Sequence, residues 1–119
     1  LVSNALVRTY PRGLDVEVFR QSALLAADSE AYGYHRSHVT SWMIDHPNAY
    51  GCIGLVSGSD DSDLRVTVDT PDDLSVVRSV IDGLGPGPHS AGNVITWLRR
   101  HPDIARKNSH VEPKADEQG

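Results

Sequence analysis

The residues with most chemistry to offer are carboxylates at element ends. Asp69 closes the run Val66-Thr67-Val68 and stands one residue ahead of Thr70-Pro71, where a helix begins. Open α/β sheets place ligand sites at such junctions, outside the C-terminal ends of strands. An aspartate here either meets a metal ion or substrate, or supports the turn and the helix start; spacing alone leaves both open. Asp15 and Glu17 project from one side of the run Leu14–Phe19, directly after the turn Pro11-Arg12-Gly13. They either face water or together grip hydroxyls or a cation.

Other polar groups offer less. His35 and His38 lie three apart, a spacing that puts both on one face of a helix. No His-Glu-x-x-His motif and no second ligand cluster accompanies them, so surface or capping roles are expected rather than metal ligation. His46, His89, His101 and His110 each sit beside turn or helix-end residues and need no special role. The loop Asp60-Asp61-Ser62-Asp63 imitates the start of a calcium loop, but Arg65 falls at the fifth position counted from Asp61 and no glycine follows at the sixth. A solvated turn is expected there. Cys52 has no neighbouring base, and neither a Gly-x-Ser-x-Gly elbow nor a Gly-x-x-x-x-Gly-Lys-Ser/Thr phosphate loop occurs. A nucleotide would have to be held by other means.

The elements that position these residues alternate between strand and helix. Leu14–Phe19 alternates apolar and acidic side chains and predicts a strand, with Leu1–Val7 a weaker one. Helical spacing runs from Gln21 to about Ala31 and again from Ser37 to Asp45, where Val39, Trp42 and Met43 form a stripe that stops before Pro47. Tyr50–Val56 and Leu64–Val68 predict two more strands. The clearest local signal is Thr70-Pro71-Asp72-Asp73: an N-cap, a proline at the first helical position, and two acids near the positive end of the helix dipole. Leu74, Val77 and Ile81 then give that helix an apolar face until Gly83. Ser90 is placed to cap another helix through Leu98, with Arg99, Arg100 and His101 at its negative end, and Asp103–Asn108 forms a last short turn. Three or four strands make a poor two-sided core, so part of the sheet is expected to come from outside these residues.

The 119 residues carry 11 Lys+Arg against 16 Asp+Glu, a net charge of −5, and this balance argues against a nucleic-acid partner, which needs clustered bases to displace counterions. With 39% hydrophobic and 23% charged residues the composition is that of an ordinary globular domain. Cys52 is the only cysteine, which excludes an internal disulfide framework and multi-thiolate zinc sites; a reducing cytoplasm is the simplest expectation. No apolar run approaches the ~18 residues of a membrane span, and no secretion signal opens the chain.

Three separated blocks carry a resemblance. They are Tyr10-Pro11-Arg12-Gly13-Leu14-Asp15-Val16-Glu17-Val18-Phe19, then Arg36-Ser37-His38-Val39-Thr40 with His46-Pro47, then Val66-Thr67-Val68-Asp69-Thr70-Pro71-Asp72-Asp73-Leu74. In this order they resemble the cytidylyltransferase family typified by the spore coat polysaccharide biosynthesis protein F, related to the acylneuraminate and Kdo cytidylyltransferases. The closing segment from Trp97 to Glu112 is similar to that family's C-terminal end. Two departures stand out. The family's N-terminal phosphate-binding signature, of the Ala-Arg-Met-x-Ser-x-Arg-Leu-Pro-Gly-Lys kind, and its Gly-Asp-x-Pro block are both missing. Ser37 also stands where the family usually has glutamate.

The resemblance implies an α/β chain forming the C-terminal part of a Rossmann-like, glycosyltransferase-A-type α/β/α sandwich. Residues 1–112 would be the sugar-side part of the domain and 113–119 a polar tail that frays. The implied reaction is attack of a sugar or sugar-acid hydroxyl on the α-phosphate of CTP, expelling pyrophosphate for surface polysaccharide synthesis. Mg2+ would be held by Asp69 with a carboxylate from the missing half. Arg12, Asp15 and Glu17 would bind the sugar, with Arg36 and His38 as further residues of the same pocket. The expected partners are CTP, the sugar substrate and a second copy in a homodimer, with no nucleic acid or membrane. Alone, the chain is expected to be inactive. A non-catalytic split module acting in binding or dimerisation is the alternative, and a nucleotidyltransferase using UTP or another base is a third reading.

Overall fold

In the computed structural model, residues 1–112 are described; the tail 113–119 lies outside them. The described residues form two compact units. One comprises Leu1–Val7 and Val16–Leu55, the other Arg8–Asp15 and Val56–Val111. No Pro/Gly tract marks the crossings, which is why composition alone did not reveal them.

The first unit is built on a three-stranded mixed sheet of order β2-β1-β3. Its strands are β1 (Val2–Ser3), β2 (Glu17–Val18) and β3 (Ile53–Gly54). β1 pairs antiparallel with β2, Val2 opposite Val18, and parallel with β3, Val2 opposite Ile53. Beyond the ladder, Val16 receives the Asn4 N–H and donates its own N–H to Asn4 Oδ1 at 2.8 Å. A side-chain amide thus replaces a backbone carbonyl and ends regular pairing. The long strands predicted over Leu14–Phe19 and Tyr50–Val56 shrink to two residues each. The second is also cut short because Pro47 starts a further helix at its first position.

The helices of this unit are α1 (Gln21–Glu30), a 3-10 turn at Gly33–Arg36, α2 (Val39–Asp45) and α3 (Pro47–Tyr50). The Val39-Trp42-Met43 stripe does what its spacing predicts. Trp42 and Met43 are buried with Ala27 and Ala31 of the α1 region, and Leu1, Phe19 and Leu24 pack on them.

The second unit is helical. Its helices are α4 (Pro71–Leu84), α5 (Ala91–Arg100), α6 (Pro102–Ala105) and a 3-10 turn at Arg106–Asn108. Both predicted caps form: Thr70 accepts the Asp73 N–H and Ser90 that of Asn93. Leu64, Val76, Val80 and Leu98 make the core, with Val66, Val94 and Trp97 against it. α4 runs one residue beyond Gly83 and ends at Gly85, and Gly83 is a packing site: a Cβ there would strike the Trp97 indole.

The strand predicted at Leu64–Val68 is a single parallel bridge, Arg12 to Arg65, closed by Arg12 N–H to Leu64 O and Val66 N–H to Arg12 O. A strand exists only where a neighbour accepts its bonds, and among the described residues one neighbour meets it at one residue. Gly13 makes that approach possible. It has φ +103°, and a Cβ on it would lie 2.7 Å from Thr67 N. Among the described residues no helix is long and apolar enough to cross a membrane.

Candidate functional site: a buried arginine network beneath Asp69

In the second unit the Pro11-Arg12-Gly13 turn is clamped against Arg65-Val66-Thr67, and charge gathers at this crossing. Arg65 is 7% exposed and Asp73 fully buried. Arg65 grips Asp73 with a two-pronged fork, Nε to Oδ1 at 2.9 Å and Nη2 to Oδ2 at 3.0 Å. Asp73 also accepts the backbone N–H groups of Asp69 and Thr70, and the amide of buried Asn108 at 2.9 Å. These donors hold the Asp73 carboxyl far below the usual carboxylate range, the Arg65 fork first among them. Asn108 also donates to Arg65 O, so its one amide ties the ion pair to the end of the domain's last turn.

Asp69 rides on this network. Its Oδ2 accepts from Arg65 Nη2 at 3.0 Å, while its backbone N–H is held by Asp73. The side chain is 38% exposed, and the structure gives Oδ1 no partner among the described residues. Asp69 is therefore a half-exposed carboxylate with Oδ2 engaged by Arg65. One such group matches a single ligand of a Mg2+ site, since that ion is commonly bound through one or two carboxylates plus waters and phosphates. Among the described residues no cluster of three metal-ligating side chains occurs.

Arg12 lies half-buried on the same crossing. Burial lowers its pKa first, the nearby charge of Arg8 next, and Arg65 contributes in the same sense, while Asp15 opposes them. Arg8 in turn forks onto Asp15, Nη1 to Oδ1 at 2.7 Å and Nη2 to Oδ2 at 2.9 Å, and holds that carboxyl below its ordinary value. Three guanidinium groups and the carboxylates of Asp15, Asp69 and Asp73 thus share one region. Asp15, expected on a strand, lies in irregular backbone just before β2 and pairs with Arg8.

The remaining site candidates lie in the first unit. Glu17 is exposed on the edge strand β2. Arg36 donates to Asp28 O at 2.7 Å and so closes the end of α1. His38 precedes α2, accepts the Ser41 hydroxyl on its backbone oxygen, and carries a buried Nε2 without a hydrogen-bond partner among the described residues. His35 is buried, with Nε2 3.3 Å from Asp45 and Nδ1 on Ser41.

Sequence reasoning missed Arg65, Asp73 and Asn108. Thr70-x-x-Asp73 is a legible capping box, and both halves of it form. What spacing did not reveal is that Asp73 faces inward onto an arginine. The acidic loop also differs from the solvated turn expected: Asp61 is buried, and Arg99 spans Asp61 Oδ1 at 2.8 Å and Asp63 Oδ1 at 2.7 Å. Those contacts raise the Arg99 pKa, Asp63 most strongly.

No protein-family model and no curated protein matches the chain. A solved structure does: a cytidylyltransferase from Leptospira borgpetersenii serovar Hardjo-bovis, 25% identical over 96% of this chain, with a TM-score of 0.82. The chain spans 47% of that protein's length. In backbone, these residues are therefore similar to about half of a cytidylyltransferase.

Proposed function

We propose that the chain is the sugar-side half of a nucleotidyltransferase of the cytidylyltransferase kind, close to the spore coat polysaccharide type, within a Rossmann-like sandwich. The observation that carries this reading is the likeness to the Leptospira enzyme over nearly the whole chain, with Asp69 half-exposed just ahead of α4.

In the proposed reaction a hydroxyl of a sugar or sugar acid attacks the α-phosphate of CTP and pyrophosphate leaves. Mg2+, when bound, would neutralise charge on the phosphates, and Asp69 Oδ1 would be this chain's ligand to it. The chain's own work is positioning. Arg65, fixed by Asp73 and Asn108, holds Asp69 in one rotamer, so the carboxylate costs little to order when the ion arrives. Arg12, half-buried beside Arg8, Arg65 and the carboxylate of Asp15, is the cation this chain would offer to an anionic group such as a sugar-acid carboxylate. Asp15, Glu17, Arg36 and His38 are the remaining sugar-side residues. Arg8 and Asp28 already engage Asp15 and Arg36, so substrate would have to compete for them.

Those engagements favour the second reading, a non-catalytic module whose role is to dock. The experiment separates the two. With CTP, Mg2+ and a panel of sugar acids, the chain alone is expected to release no pyrophosphate. With the nucleotide-side half supplied, release is expected. Turnover by the chain alone overturns the half-site reading, and silence in both arms favours the docking module.

A further inference from the structure

The sheet of the first unit is covered on one side only. Leu1 and Phe19 contribute to the core formed with the helices, and Ser3 is buried. Side chains alternate along a strand and share a face across it, so Val2, Val18 and Ile53, which are in register, point to the opposite side. Val16 and Leu55, two residues from Val18 and Ile53, extend that row. Val16, Val18, Ile53 and Leu55 are 56%, 61%, 62% and 51% exposed. Among these five residues no side chain is charged; Arg20, two residues beyond Val18, stands at the end of the row where α1 begins. A contiguous apolar sheet face of this kind is ordinarily an interface, since water contact with each such side chain is unfavourable.

We propose that this face is the seam on which the other half of a cytidylyltransferase domain packs, the half for which these residues hold no counterpart. The inference rests on the half-domain reading above and names its docking surface. Two observations choose this occupant. The Leptospira enzyme matches this chain over 96% of its length, yet about half of that protein lies outside the match. The alternating pattern over Leu14–Phe19 continues beyond the two residues that pair, and both outer strands have an open edge. A layer added to this face gives a sheet covered on both sides, as in an α/β/α sandwich.

The test titrates the chain with the unmatched half of the Leptospira cytidylyltransferase as a separate polypeptide. Mass is followed by light scattering and contact by hydrogen exchange. A one-to-one complex that protects the backbone around residues 2, 16–18 and 53–55 is expected. Val18→Asp would bury an unpaired charge and weaken the complex about a hundredfold. Val18→Thr, which keeps the branched shape, would weaken it about tenfold. No complex, a complex indifferent to V18D, or a homodimer that protects this face instead would overturn the proposal. A complex that forms without releasing pyrophosphate from CTP leaves the seam standing and removes the catalytic reading.

Discussion

The two units end a helix in the same way but are stabilised differently. In the first, Trp42-x-x-x-His46-Pro47 stops α2: His46 Nδ1 meets Trp42 O at 2.8 Å, the rings stack at 4.1 Å, and Pro47 opens α3. In the second, Trp97-x-x-x-His101-Pro102 stops α5 with 2.7 Å and 3.9 Å at the equivalent contacts, and Pro102 opens α6. Beyond this shared device they diverge. The second unit carries buried charge, Arg65 and Asp73, satisfied by Asn108 and two backbone amides. The first leaves an apolar face open to water. The contrast teaches that the second unit engages its candidate site with its own residues, whereas the first leaves apolar side chains of its sheet exposed.

Removing the partner of the buried arginine has the largest expected effect. Asp73→Ala leaves the buried Arg65 with only the half-exposed Asp69 as a carboxylate partner and should cost about 3 kcal/mol, measured by denaturant unfolding followed by tryptophan emission. The same pair gives the second unit an acid limit. The Asp73 carboxyl is depressed in the folded chain and titrates near ~3.9 when unfolded. Its stabilisation is therefore complete above that value and lost as pH falls below it. Asp15 and Asp63 are depressed too, so the decisive measurement is the difference in acid unfolding between the native chain and Asp73→Asn, which should show a shallower loss below about pH 4.

Gly83→Ala comes next. The added methyl meets the Trp97 indole across α4 and α5 and should cost about 1–3 kcal/mol, with a changed Trp97 emission. Smallest is Val18→Thr on the bare face of the first unit. With the side chain 61% exposed, stability of the chain alone should change by no more than about 0.5 kcal/mol in thermal melts. A large loss there would mean that the face is already covered.

Local signals were legible where their causes are local. The Thr70 cap, Pro71, and the Val39-Trp42-Met43 stripe appear as read, because capping and helical periodicity involve residues within a turn of each other. Leu64–Val68 was not legible as a bridge, because strand length is decided by a partner elsewhere in the chain or outside it. Arg65, alternating with Leu64 and Val66, looks in sequence like a solvent-facing residue. Only the inward carboxylate of Asp73, eight positions on, makes its burial affordable. His46 and His101 were given no role, yet their four-residue distance from a tryptophan and the proline after each are a readable helix stop.

The most direct test of the central claim concerns Asp69. With the chain and the nucleotide-side half assembled, pyrophosphate release from CTP in Mg2+ is compared between the native residue and Asp69→Asn, which keeps the Arg65 contact in shape and removes the charge. The account predicts a loss of at least about a hundredfold with an unchanged melting temperature. Undiminished release by Asp69→Asn would contradict it.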